Sequence, residues 1–274
     1  MRAEPKIYFI GTPIGNLGDL SQRAIDTIVK SDVVFAEDTR TATNLLNYLG
    51  LKKKIVSCHK DNEKKAAEKI ILEVISGRHP AVISEAGMPC ISDPGSEVIN
   101  ALIKEGIPFE IVPGPTALIH GLIASGFSGG PFFFYGFLPH KMSDKKKIIE
   151  NIKNIPYPII FYESPHRVKD TVEVLLENFP TPIACCRELT KIYEETVFIE
   201  NATELENLTV KGEFVLVVNN SSSEEKTTAQ EFNINNIAKK LLQDGFSSQE
   251  AVRILKILGV KRNDAYKMII NQES

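Results

Sequence analysis

Short β-branched or aromatic runs alternate with longer stretches of helical period from residue 6 onward, and this alternation constrains the fold of the 274-residue chain most tightly. KIYFIG, VVFA and KIVS are separated by helical periods near 21–30 and 40–49. A helix at 63–76, a strand at 81–84, a helix at 95–105, a strand at 109–112 and a helix near 116–125 follow. Parallel strands need such helical crossovers, so the spacing predicts an α/β domain with a parallel sheet. After the small residues of 126–131, strands are predicted at 132–135, 158–162, 182–186, 195–199 and 213–218, with helices at 144–153 and 165–178. The last strands have short connections, which predicts antiparallel pairing and a mixed sheet. The expected organisation is a parallel α/β domain (1–125), a mixed-sheet α/β domain (126–219), a polar linker (220–231) and a basic three-helix unit (232–274). Ser247 with Glu250 carries the capping-box signature inside that last unit.

Charge is distributed unevenly. Residues 232–274 hold seven Lys/Arg against four Asp/Glu, while the rest of the chain holds 25 against 31. The helical tail is therefore a basic appendage, suited to nucleic acid or to a protein contact. A second basic run, Lys141, Lys145, Lys146, Lys147 and Lys153, follows an aromatic strand and has the same two readings, a solvated helix face or an RNA-binding surface. No apolar run is long enough for a bilayer and the first residues lack a signal-peptide layout, so a cytoplasmic location without membrane association is expected. Four cysteines show no metal or redox spacing, and adjacent Cys185 and Cys186 should alternate faces of a buried strand. No zinc or other metal site is expected.

Three Gly/Pro-rich segments directly follow predicted strands: Gly11 to Gly18, Glu85 to Gly95, and Pro113 to Thr116. Loops at strand carboxyl ends build the ligand crevice of open α/β sheets, and glycine and proline there let main-chain groups approach a ligand. Neither the dinucleotide nor the phosphate-loop fingerprint is present, nor is the hydrolase nucleophile motif. Polar residues cluster after three other strands: Glu37, Asp38 and Arg40; Glu163, Ser164, His166 and Arg167; and Arg187, Glu188 and Lys191. A carboxylate, histidine or lysine in such a group could move a proton and an arginine could hold phosphate, but helix capping and ion pairing use the same residues.

The ordered motifs GTPIGNLGDL, AEDTR, SEAGMPCISDPG, VPGPTA, FYGFLP, FYESPHR, CRELTK and KGEFVLVV give a more specific signal. Together the chain resembles ribosomal RNA small subunit methyltransferase I, a family of the tetrapyrrole-methylase-like superfamily, from about residue 6 to 219 and on into the tail. The resemblance implies a two-domain α/β homodimer with a helix-turn-helix-like tail. It also implies S-adenosylmethionine, converted to S-adenosylhomocysteine, as methyl donor. The implied substrate is the ribose 2′-hydroxyl of a decoding-centre cytidine in 16S ribosomal RNA, within the 30S subunit. Motif by motif, it implies cofactor contacts from Pro13, Gly87, Met88, Ile91, Thr116, Ala117, Tyr162, Leu189 and Phe214. From the polar clusters themselves, Asp38, Glu163 or Lys191 is expected to accept or steer the hydroxyl proton. Arg40, Arg167, Arg187, Lys145, Lys146 and Lys147 would bind RNA.

The family pattern S-D-A-G-T-P departs here to Ser84-Glu85-Ala86-Gly87-Met88-Pro89. If the loop works through its backbone, Met88 costs little and its thioether could pack beside the cofactor's sulfur. If a threonine hydroxyl bond mattered, affinity would fall by about 1 kcal/mol, or several-fold. Two other functions fit parts of the sequence: methylation of a corrin-like tetrapyrrole, and a noncatalytic RNA- or nucleotide-binding module. The basic tail argues against the first, the strand-end loops and polar clusters against the second.

Overall fold

The computed structural model describes residues 6–220, 239, 241–243, 246–257, 260, 265 and 267–269. The chain divides into two compact units, Met1–Asn220 and Ser221–Ser274. The first holds two five-stranded sheets. Its parallel sheet contains β1 (Ile7–Ile10), β2 (Val33–Ala36), β3 (Lys54–Ser57), β4 (Pro80–Ile83) and β5 (Phe109–Val112) in the order β3-β2-β4-β1-β5.

Strand alternation sends neighbouring residues to opposite faces. Phe9, Phe35 and Val82 pack beneath α3 (Glu63–Ile75) and α4 (Ser96–Lys104), whereas Ile10, Val34 and Ile83 pack beneath α1 (Gln22–Lys30) and α2 (Thr39–Tyr48). Strands β2 and β4 are buried throughout, as an apolar strand covered on both faces must be. Adjacent β1 and β4 therefore feed helices on opposite faces, and their diverging exits open a crevice at the strand carboxyl ends.

The second sheet contains β6 (Phe133–Phe137), β7 (Ile159–Glu163), β8 (Ile183–Arg187), β9 (Glu195–Ile199) and β10 (Phe214–Val218) in the order β6-β7-β10-β8-β9. Only β6 with β7 is parallel among its pairs. Helices α6 (Met142–Ile152) and α7 (Val168–Asn178) cover one face through Ile149, Val172 and Leu175. The other face receives α5 (Ala117–Ala124), whose Leu118 and Leu122 pack with Ile160, Val215 and Val217. Helix α5, expected to close the first domain, thus packs on the second sheet. The first-loop residue Ile14 joins the same apolar cluster. A short helix absent from the sequence reading, α8 (Ala202–Glu206), is capped by Asn201, which accepts from Glu204 N at 3.1 Å.

Cys185 and Cys186 do lie on opposite faces of β8, and burial raises both thiols above their ordinary pKa. In the second unit, α9 (Ser248–Ile257) begins with the anticipated capping box: Ser247 N donates to Glu250 Oε2 at 2.9 Å and Glu250 N donates to Ser247 Oγ at 3.4 Å. Its Ala251 and Leu255 pack with Ala265 and Ile269. Of the other two expected tail helices, only 239, 241–243, 265 and 267–269 are described, and these are helical. Except for Asn220, the predicted linker lies outside the described residues. No helix among the described residues is long and apolar enough to cross a membrane.

Candidate functional site

The loops after β1, β4 and β5 are fastened to one another by main chain. Thr12 and Gly87 form a two-way bridge, with Thr12 N donating to Gly87 O at 2.8 Å and Gly87 N donating to Thr12 O at 3.1 Å. Gly11 N donates to Val112 O at 2.9 Å, drawing the first loop against the third. Gly11 and Gly114 then meet so closely that a Cβ built on Gly11 would stand 2.6 Å from Gly114 Cα. Glycine at both positions is the steric condition for this junction. Behind the second loop, buried Glu63 accepts from Gly95 N at 2.8 Å and Glu97 N at 2.7 Å, fixing the entry to α4.

Between these loops and the carboxyl-end side of β7 and β8 lies a cleft of about 710 Å³. All nine positions for which the resemblance implies cofactor contact line it: Pro13, Gly87, Met88, Ile91, Thr116, Ala117, Tyr162, Leu189 and Phe214. Two of its loops hold non-glycine residues in left-handed conformation, Cys90 and Ser92 in one, Glu188 and Thr190 in the other. Such conformations cost energy and concentrate where a surface is shaped for a ligand. Met88 has a structural role besides lining the cleft. Its Sδ accepts from Gly114 N at 3.2 Å, so the thioether ties the second loop to the third.

The polar candidates divide. Asp38 is not among the cleft-lining residues. It caps α2, accepting from Arg40 N at 2.7 Å, and pairs with the Arg40 guanidinium at 2.8 Å. That side-chain bond to Arg40, reinforced by the main-chain one, lowers its pKa to about 2, leaving a weak proton acceptor. Glu163 is among the cleft-lining residues, but its side chain is fully buried and both its oxygens are engaged. Oε1 accepts from Ser164 N at 2.8 Å and pairs with Arg167 Nε at 2.8 Å; Oε2 accepts from Arg167 Nη2 at 2.8 Å and Thr171 Oγ1 at 2.6 Å. Lys191 lines the cleft with its stem across Gly15 and its Nζ on Glu188 Oε1 at 2.8 Å and Glu213 Oε2 at 2.9 Å. Burial works to lower its pKa, but the two carboxylate partners outweigh burial and raise it, so the ammonium stays charged.

The RNA assignments are corrected in part. Lys145 is only 2% exposed, and its Nζ donates to Thr171 Oγ1 at 2.7 Å. Burial, opposed by Glu163, lowers its pKa. It is therefore a member of a buried chain, Lys145 to Thr171 to Glu163 to Arg167, and not a phosphate contact. Arg167 ends that chain by donating to Leu138 O at 2.7 Å. Arg187 is mostly covered and pairs with Glu195 at 2.9 Å. Arg40 is 90% exposed, Lys147 is exposed, and Lys146 is exposed in a loose pair with Glu177 at 3.6 Å.

The three polar clusters leave out the acid with the most suitable chemistry. Asp93, in the second loop, lines the cleft. Burial, with the charge of Glu37 added, pushes its pKa up to about 7. Glu37 is itself raised by burial and by Glu85, another cleft residue. Phe137 also lines the cleft and is absent from the sequence-derived set. The available signals were an acid in a Gly/Pro-rich strand-end loop and a glycine before an aromatic at a strand end. Among the described residues no cluster of His, Cys, Asp and Glu could hold a metal ion.

Comparison with known proteins agrees with this architecture. The model of the tetrapyrrole (corrin/porphyrin) methylases matches residues 6–206. Proteins named ribosomal RNA small subunit methyltransferase I are 39% identical over 277 residues in Halalkalibacterium halodurans, covering 97% of this chain and 95% of that one. The protein of that name in Bacillus subtilis is 39% identical over 258 residues, covering 90% and 87%. Among solved structures, the methyltransferase CobJ aligns with a TM-score of 0.62 at 18% identity, covering 80% of this chain and 95% of that one. Uroporphyrin-III-C-methyltransferase from Thermus thermophilus aligns with a TM-score of 0.54 at 22% identity, covering 79% and 95%. At these identities the solved structures show the fold, while the matched length and identity of the first group show the family: this chain belongs to the tetrapyrrole methylases and, among them, to the ribosomal RNA small subunit methyltransferase I family.

Proposed function

We propose that this chain is an S-adenosylmethionine-dependent methyltransferase acting on the ribose 2′-hydroxyl of a decoding-centre cytidine in 16S ribosomal RNA. Its relatives' name supports ribosomal RNA of the small subunit as substrate. The observation that carries the chemistry is Asp93, a carboxyl with a pKa of about 7 on the wall of a preformed cleft. General bases work best when their pKa lies near the working pH, and a hydroxyl must lose its proton as it attacks.

The cleft fits the cofactor. Its volume of about 710 Å³ lies in the range of small-molecule sites, its loops offer main-chain donors and acceptors, and the acids Glu85 and Asp93 suit a cationic ligand. Pro13, Gly87, Met88, Ile91, Thr116, Ala117, Tyr162, Leu189 and Phe214 would hold S-adenosylmethionine, which when bound supplies a methyl group on a positively charged sulfur. Asp93 takes the 2′-hydroxyl proton. Lys191, kept charged by Glu188 and Glu213, holds a phosphate or carboxylate at the opposite wall. Arg40, Lys146 and Lys147, together with the basic tail, bind the RNA backbone, and RNA binding should weaken steeply with salt. No metal takes part in this reading, which places the enzyme in the cytoplasm as a homodimer working on the 30S subunit.

The test is incubation with S-adenosylmethionine labelled in its methyl group, separately with naked 16S RNA, 30S subunits and a tetrapyrrole mixture, followed by nuclease digestion and mass spectrometry. Label on one cytidine ribose is the expected result. Label on the tetrapyrrole alone would keep the fold and overturn the substrate.

A further inference from the structure

The cleft contains an aromatic ring that the cofactor assignment does not use. Phe137 stands at the end of β6, a sheet-edge strand, and is 56% exposed although it lines the cleft. Its direction is set by a local irregularity. Along β6 and β7 the register runs Phe133 with Ile159 and Phe134 with Ile160, then Gly136 with Phe161 and Phe137 with Tyr162, so that Tyr135 is the extra residue of a β-bulge. In a regular strand, residues three apart point to opposite faces. The bulge cancels one alternation, and Phe134 and Phe137 therefore both meet the ring of Tyr162, at 4.9 Å and 5.5 Å between centroids, edge-to-face. Gly136 takes φ +85° to make the turn, and a Cβ there would come within 3.3 Å of Ser92 Oγ, next to Asp93. Tyr162 in turn accepts from Leu118 N at 3.1 Å, which anchors the ring against which Phe137 leans.

An exposed apolar ring held at a cleft edge by a bulge and a braced neighbour has no packing role that explains its exposure. We infer that Phe137 is the stacking platform for the target nucleobase, holding the base flat on its free face while the attached ribose lies toward Asp93. This rests on the ribosomal RNA reading above and deepens it. A nucleobase is the part of the substrate that such a surface suits: it is flat and uncharged, whereas a tetrapyrrole precursor would bring several carboxylates toward Glu85 and Asp93. Stacking on an aromatic side chain tolerates any base, so Phe137 contributes affinity and placement, and choice among bases must come from other contacts.

The experiment uses the full chain with 30S subunits or 16S RNA, whichever accepts methyl from the wild-type protein. The stacking of one base is worth about 1 to 3 kcal/mol, so Phe137→Ala should raise the KM for RNA by about 5- to 150-fold. Affinity for S-adenosylhomocysteine, measured by calorimetry, should stay unchanged, and Phe137→Tyr and Phe137→Trp should keep a near-native KM. The chain contains no tryptophan, so Phe137→Trp also introduces a single indole whose emission should be quenched on addition of RNA. An unchanged KM for Phe137→Ala in an RNA-active enzyme overturns the inference and leaves the proposed function standing. Weakened S-adenosylhomocysteine binding with unchanged RNA KM overturns it in favour of a cofactor contact. Methyl transfer by the wild-type protein to tetrapyrrole alone overturns both readings.

Discussion

The two walls of the cleft are made of different material. The wall supplied by the parallel sheet is largely main chain: the Thr12 and Gly87 bridge, the contact of Gly11 with Gly114, and loops held from behind by Glu63. The wall supplied by the mixed sheet presents side chains: Phe137, Tyr162, and Lys191 pinned between two carboxylates. A main-chain wall is sensitive to added volume and indifferent to many side chains, while a side-chain wall is sensitive to the identity of a few residues. The difference predicts which substitutions should alter binding and which should alter chemistry or stability.

Asp93 is the exception on the main-chain side, and Asp93→Asn is the most severe test of the contrast. Turnover should fall by about 10² to 10⁴-fold while affinity for S-adenosylhomocysteine, which lacks the sulfonium charge, is retained, measured by single-turnover methyl transfer and calorimetry. For the wild type, activity should rise with pH through about 7 as Asp93 loses its proton. Stability carries the opposite sign. A carboxyl whose folded pKa is raised binds its proton more tightly in the folded chain, so its contribution is present below the ordinary aspartate value of 3.8 and is lost as pH rises through about 7. Asp93→Asn should accordingly melt higher than wild type at pH 8, with the difference closing at acid pH.

On the other wall, Glu163→Gln interrupts the buried chain that joins Lys145, Thr171 and Arg167. The Glu163 side chain is fully buried, and removing its charge leaves Arg167 without its paired carboxylate, a change worth about 3 kcal/mol or more in denaturant unfolding. If stability were unaffected, the network would be ornament rather than support for the cleft wall. Next in size, Gly11→Ala should push the first and third loops apart and cost about 1 to 3 kcal/mol, with cofactor affinity falling alongside. A neutral outcome there would mean the wall is soft and the contrast between the two sides false. The smallest effect is expected for Met88→Leu, which keeps bulk but loses the acceptor for Gly114 N. Cofactor binding should weaken at most several-fold, corresponding to about 1 kcal/mol.

The sequence was informative wherever the relevant physics was local. Alternating short apolar runs located all ten described strands, and the Gly/Pro segments after β1, β4 and β5 located the cleft. Insertion of β10 between β7 and β8 was not legible, because pairing across dozens of residues leaves no mark in a short window. At five residues, α8 is too short for helical period to register. Lys145 was hidden in a run of three lysines that reads as a solvated face. Its spacing of four from Ile149 and seven from Ile152 places it on their buried side of α6. Asp93 looked like any turn aspartate, since its burial and the nearby charge of Glu37 arise only when the chain folds. Phe137 was obscured by the bulge, which breaks the period from which strand faces are read.

The bridge between Thr12 and Gly87 bears on how such a protein changes over generations. Because these loops recognise one another through peptide groups, the shape they offer a ligand is settled when the chain folds, and little ordering remains for the moment of binding. The instructions for that shape are spread over glycines, prolines and hydrogen-bonded amides rather than written in any one functional group. Such a surface can be inherited while the side chains on it drift.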